Sequence, residues 1–286
     1  LGAMGCHRLT PDQIRTAAEA IRAGTDKPFG LNFLIFSAEE ECFAAGLASR
    51  PPVMAFAWPR ADQDIKTYVS RAHDAGCIVT FMASGAPEAV LAAEAGADVI
   101  IAQGTEGGGH VGWTASLALT PMVIDAVAPV PVLSAGGIAD GRGLAAALAL
   151  GADGVLLGTR FLASEESPLH RNFKQAIVDS DGHDTFLTEI PDIAQGVVWP
   201  GAMSRAQRNR FTERWAGREW ALRQYQSEAL IALQAARLAG DAAEAPLSMG
   251  QDSGLIHDIP PAVEIVRRIA GEAEEIITGK LAKLID

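Results

Sequence analysis

The chain has 286 residues, is 49% hydrophobic, and carries 23 Lys and Arg against 35 Asp and Glu, a net charge of -12. That length serves one large α/β barrel or two ordinary domains. The acidic balance excludes nucleic acid and anionic membrane as main partners, because both select a basic surface. Three cysteines, Cys6, Cys42 and Cys77, are too few and too scattered for a disulfide framework or a zinc site. No metal is expected. Free thiols suit a reducing compartment, and no apolar run approaches the roughly 18 residues of a membrane span. A cytoplasmic protein is expected.

The first element expected is a helix at 11–23, opening on "TPDQ", where Thr10 caps, Pro11 takes the first helical position and Gln13 completes a capping box. Apolar runs follow at 29–36, 52–58, 77–83, 97–103, 130–135 and 153–158. They do not alternate, which is the pattern of parallel strands covered on both faces. Helices are expected between them, near 38–48, 62–75, 86–95, 116–127 and 141–150. A short internal repeat links "EAGADVIIAQG" (94–104) with "ALGADGVLLGT" (149–159); in each, glycine ends a helix and a strand follows at once. Such β–α units build either a (β/α)8 barrel or a doubly wound sheet. From Ser204 the texture changes: 204–240 is charged, aromatic and helical by period, with Trp215, Trp220 and Tyr225 expected in the core of an added helical region. A last helix is expected within 260–285, packing back on the barrel.

Three strands end in glycine-bearing loops: "TEGGGHVG" (105–112), "GGIADGRG" (136–143) and "GTRF" (158–161). In a (β/α)8 barrel the loops at the C-terminal strand ends carry the site, and those after the last two strands usually hold phosphate. Gly136, Gly137, Gly158 and Thr159 stand where backbone N–H groups would meet such an anion. The second of these loops superficially suggests a dinucleotide fingerprint, but it lies late in the chain and lacks the G-x-G-x-x-G spacing.

These motifs resemble those of the nitronate monooxygenases, formerly 2-nitropropane dioxygenases. "AQGTEGGGHVG", "PVLSAGGIADGRG", "GVLLGTRFLASEES" and the closing "GQDSGLIHDIPPAVEIV" carry the likeness. Flavin-dependent enoyl-ACP reductases and some NADH:quinone reductases share much of the same pattern. The resemblance implies an FMN-binding TIM barrel with a smaller helical domain inserted near the C-terminus. Here that divides the chain into a barrel over 1–190, an inserted helical region over 191–250 and a returning segment over 251–286. The family's opening strand, with its "APM"-like turn, has no counterpart, and "LGAMG" (1–5) matches its second strand. The barrel is therefore expected to lack its first strand, and the natural N-terminus to lie upstream.

Carried over position by position, the resemblance implies that Asn32 and Gln103 touch the isoalloxazine ring. Gly108 and Gly137 would offer backbone N–H groups, and Leu156, Leu157, Gly158 and Thr159 would close around the phosphate. Gln251 and Ser253 would reach the substrate. His110 matches the family's active-site histidine. Its three preceding glycines leave room for a flat ring, and imidazole can accept a proton or hold an anion. Glu106 reads as a loop-fixing carboxylate and Arg160 as a capping or pairing residue. His7, His73, His170, His183 and His257 stand in ordinary helical or loop contexts. The expected reaction is oxidation of alkyl nitronates by O2, through single-electron transfer to FMN, to a carbonyl compound and nitrite. The alternative on the same fold is an NAD(P)H-dependent enoyl-ACP or quinone reductase. A flavin-less barrel fragment serving as a binding module is the non-enzymatic alternative.

Overall fold

The structure is a computed structural model, and it describes residues 1–284. In chain order its elements are β1 (Gly2–Gly5), α1 (Pro11–Gly24), β2 (Phe29–Leu34), α2 (Glu40–Ala48), β3 (Val53–Ala57), α3 (Ile65–Asp74), β4 (Ile78–Ala83), α4 (Ala86–Glu94), β5 (Val99–Gln103), β6 (Gly109–Val111) and α5 (Ser116–Val127). Then come β7 (Val132–Ala135), α6 (Gly141–Ala149), β8 (Gly154–Leu156), α7 (Thr159–Leu162), α8 (Arg171–Val178), β9 (Thr185–Thr188), α9 (Ile190–Gln195) and β10 (Met203–Gln207). Helices α10 (Arg210–Trp215), α11 (Glu219–Gln224), α12 (Gln226–Ala239) and α13 (Ala262–Glu275) complete it.

Seven strands form one sheet in the order β1-β2-β3-β4-β5-β7-β8. Each adjacent pair from β1 to β5 is parallel, with Gly5 opposite Asn32 and Ala55 opposite Thr80. A doubly wound sheet reverses its strand order at a switch point; this order never reverses. The alternation of strand and helix is therefore of the TIM-barrel type, with an added, largely helical region after β8. The seven parallel strands are those expected from the apolar runs and "LGAMG".

The chain divides into two compact units, Leu1–Ala102 with Met122–Leu133, and Gln103–Pro121 with Ser134–Asp286. In the first, the expected capping box forms: Thr10 Oγ1 accepts from the Gln13 N–H at 3.3 Å, and Gln13 Oε1 accepts from the Thr10 N–H at 2.9 Å. Its core stacks aromatic rings between helix and sheet, with Phe43 of α2 lying 5.7 Å from Phe33, 5.9 Å from Phe56 and 5.2 Å from Tyr68. Gly46 is needed there, since a Cβ would come within 2.6 Å of the Phe33 ring. Cys6 is buried. Burial pushes its thiol up to about 12, so it packs and does not act as a thiolate.

The second unit contains a three-stranded antiparallel sheet, β6-β10-β9, that the sequence pattern did not announce. The loop expected around His110 is therefore partly a strand, with His110 opposite Ser204. The stretch 204–240 is likewise not one helical region. It opens on β10 and then breaks into three helices, turning at Gly217 with φ +72°. Breaking the period puts Trp220 and Tyr225 on the surface, at 66% and 55% exposure, and corrects their expected place in the core. Trp215 alone packs against the apolar cluster of Ile190, Phe211, Leu222 and Leu233. Helix α13 returns to pack on α6, where Glu272 accepts the Gly141 N–H at 2.9 Å. Among the described residues, no helix is long and apolar enough to cross a membrane.

Candidate active site

Strands β5, β7 and β8 end in the glycine loops, and within the second unit these loops converge on one cavity of about 240 Å³. Gly136 and Gly137 adopt φ +91° and +73°, a region open to glycine at no steric cost. A Cβ on Gly136 would stand 2.8 Å from the Gly104 carbonyl, so the β7 turn lies directly on the β5 turn. Gly108 is pressed equally closely: a Cβ there would meet the Met249 carbonyl carbon at 2.5 Å and the Gly250 nitrogen at 2.6 Å. Gly158 differs, since a Cβ on it would meet nothing within 4 Å.

Side chains lock these turns. Glu106 accepts from the Ser116 N–H at 3.0 and 3.1 Å and from its hydroxyl at 3.1 Å, fixing the loop to the start of α5 as expected. Arg205 of β10, whose pKa burial lowers, donates from Nε to the Thr105 carbonyl at 2.9 Å. Thr159 Oγ1 accepts the Gly250 N–H at 2.9 Å, and Glu106 O accepts the Gln251 N–H at 2.9 Å. Residues 249–251 thus strap the loops after β5 and β8 together. Arg160 pairs with Asp258 at 3.1 Å and donates to the Ala163 and Asp258 carbonyls, the pairing role expected of it.

Of the residues singled out from the sequence, Gln103, Gly108, Gly136, Gly137, Leu156, Gly158 and Thr159 line this cavity, and Leu157 and His110 do not. Gln251 is exposed and Ser253 fully buried, its hydroxyl 2.9 Å from that of Ser180; neither lines the cavity. Asn32 belongs to the first unit, on β2, where its amide donates to the Ala55 carbonyl at 3.3 Å. Two buried polar atoms on the cavity wall have no hydrogen-bond partner, Gln103 Oε1 and Asp252 Oδ1. Burial raises the Asp252 carboxyl to about 6, offset in part by its own backbone N–H, the Thr159 hydroxyl and Arg160.

His110 follows directly on the cradle glycines. Its Nε2 lies 2.9 Å from both oxygens of Asp192 on α9, and its ring stacks on Trp199 at 3.3 Å between centroids and 11° between planes. Asp192 is buried. A carboxylate only accepts, so Nε2 carries a proton, and in the neutral imidazole Nδ1 is then the acceptor. Asp192, Trp199, Arg205 and Asp252 went unseen in the sequence. Asp192 stands 82 positions from His110, and nothing in "IPDIAQ" marks it.

Comparison with known proteins settles the family. Residues 44–272 match the family model described as nitronate monooxygenase. The chain belongs to the nitronate monooxygenase family. Nitronate monooxygenases are oxidoreductases, and the family's relatives here include differently named ones. A Mycobacterium tuberculosis protein named (3aS,4S,5R,7aS)-5-hydroxy-7a-methyl-1-oxo-octahydro-1H-indene-4-carboxyl-CoA dehydrogenase is 32% identical, covering 96% of this chain and 86% of its own length. The solved structure of FabK from Thermotoga maritima matches with a TM-score of 0.87 and 33% identity, over 99% of this chain and 87% of that one. A nitroalkane oxidase from Streptomyces ansochromogenes matches with a TM-score of 0.81 and 27% identity, over 96% and 89% of the two chains.

Proposed function

We propose that this nitronate monooxygenase family member is an FMN-dependent enzyme that oxidises alkyl nitronates, and nitroalkanes as their source, with O2. The His110–Asp192 pair, fixed immediately after the cradle glycines, is the observation that carries the reading. The residues present fit a flavin mononucleotide. Gln103 Oε1 is a buried acceptor lacking a donor, and the imide N–H of an isoalloxazine ring is one. Gly158 leaves open space for a terminal phosphate, and the turn through the positive-φ pair Gly136 and Gly137 lines the same cavity, where backbone N–H groups would meet it. FMN, once bound, supplies the electron acceptor that no side chain can provide.

The protein's own work is acid–base and electrostatic. Nδ1 of His110 takes the α-proton of a neutral nitroalkane, and Asp192 stabilises the imidazolium that results. The same Nδ1–H then holds the negative charge of the nitronate. Trp199, stacked on the ring, keeps the imidazole from rotating away. Small nitroalkanes and O2 are the partners of this reading.

A second reading, reduction of an enoyl thioester or quinone by NADH or NADPH, is favoured by the likeness to the M. tuberculosis dehydrogenase over 96% of the chain. Anaerobic mixing of the FMN-loaded protein separates the two. Bleaching of the flavin absorbance by alkyl nitronate, and not by NADH or NADPH, is expected. Bleaching by the nicotinamide alone would overturn the first reading in favour of the second.

A further inference from the structure

Asp252 carries the one acidic side chain among the described residues that line the cradle cavity. It is 5% exposed, and its Oδ1 has no hydrogen-bond donor. It is wedged tightly, for a Cβ on Gly250 would come within 2.1 Å of that oxygen. Two charged groups face it. Arg160, from α7, has Nη1 and Nη2 engaged by Asp258 and two carbonyls, while its buried Nε has no hydrogen-bond partner. Glu106, from the loop after β5, adds negative charge and spends its own oxygens on Ser116. The Thr159 hydroxyl and the backbone N–H of Asp252 itself are the remaining polar neighbours.

This is an unusual wall for a phosphate site. Phosphate oxygens and a carboxylate both only accept, so they cannot hydrogen-bond to each other without a proton between them. Left ionised, Asp252 would stand unpaired against a second anion in a buried place, where uncompensated charge is costly. With one proton, its orphaned oxygen becomes the donor that the phosphate requires.

Resting on the FMN reading above, we propose that Asp252 holds a proton when the cofactor phosphate occupies the cradle and donates it to a phosphate oxygen, so that binding takes up a proton from solvent. The burial that raises the carboxyl to about 6 already brings it close to this state. Above that pH the proton must be drawn from solution. Affinity then falls by about tenfold per pH unit until the pKa of the complex is passed.

The test is FMN affinity of the full chain from pH 6 to 8, for the parent and Asp252→Asn, with riboflavin as the ligand lacking a phosphate. A free phosphate monoester also titrates near pH 6, so the ratio of the two proteins is the quantity read. The asparagine amide donates at every pH. The variant should therefore gain on the parent by about tenfold or more between pH 6 and 8, and riboflavin should show no such divergence. Isothermal titration at pH 8 in two buffers of different ionisation enthalpy should show about one proton taken up by the parent, which decides the matter even if the variant does not fold. A ratio constant with pH, a divergence that persists with riboflavin, or no proton uptake at pH 8 would overturn the proposal. So would FMN release by EDTA reversed by Mg²⁺, which would put a cation where the proton is assigned. Absence of FMN binding by the parent at any pH would remove the cofactor reading itself, and this inference with it.

Discussion

Replacing Asp192 by Asn tests the division of labour at His110. The change is isosteric, and the amide oxygen can still accept from Nε2–H, so the ring should stay in place. What is lost is the negative charge opposite the imidazolium that forms once Nδ1 has taken a proton. Nε2 lies 2.9 Å from both carboxylate oxygens, which puts the charge centres about 4 Å apart. At an effective dielectric near 20 the attraction is roughly 4 kcal/mol. The neutral hydrogen bond that remains is worth about 1 kcal/mol. A net loss of about 2–3 kcal/mol in the transition state corresponds to roughly 30- to 150-fold in kcat/KM. That loss is expected on a neutral nitroalkane, measured by oxygen uptake. A preformed nitronate has no α-proton to give up, and its loss should be about tenfold smaller. FMN binding and thermal midpoint should be unchanged. Equal losses on the two substrates would refute proton transfer to Nδ1. Parent rates on both would reduce the pair to a structural contact.

Two glycine substitutions should separate folding from cofactor binding. Gly108→Ala drives a methyl into the backbone of residues 249–250, and should cost about 1–3 kcal/mol by thermal unfolding of the apo protein. Gly158→Ala meets nothing within 4 Å, so the apo protein should unfold within about 0.5 kcal/mol of the parent, while FMN affinity measured by fluorescence falls. Equal FMN affinity in parent and Gly158→Ala would remove the phosphate from this turn. The apo protein should also carry the signature of Asp252 in its acid range. A carboxyl raised in the folded state to about 6 stabilises below its unfolded pKa and loses that contribution as pH rises through 6. From pH 4 to 6 denaturant unfolding should report about 2 kcal/mol less from this group, and Asp252→Asn should erase the slope.

The parallel strands were legible because burial on both faces leaves an unbroken apolar run, and the Thr10 capping box because three adjacent residue types encode it. The cradle was legible for a similar reason: glycine is written wherever a turn needs positive φ or a backbone must pass close by, as at Gly136 and Gly108. What the sequence hid is long-range. A three-residue strand such as β6 has no period to detect, and it became a strand only because β10 lies beside it. The Asp192 partner of His110 and the stacked Trp199 arrive from a segment whose local pattern serves its own fold. The three helices of the added region share one helical period on paper, and only the turn at Gly217 divides the first two.

The cradle and the histidine are held from different directions. The strap at 249–251 fixes the loops through Thr159, Glu106 and Gly108, whereas His110 is set by Asp192 of α9 and by Trp199 from the stretch between α9 and β10. On the proposed reading, changes around α9 and the segment after it re-aim or replace His110 while the glycine loops stay in place. Such separation of the two supports is a physical means by which a scaffold shared with proteins named as a nitroalkane oxidase and a carboxyl-CoA dehydrogenase could vary its chemistry by changing a short peripheral segment. For an engineer, residues 189–202 are the place to randomise when a new substrate is wanted, and 249–252 the place to leave alone.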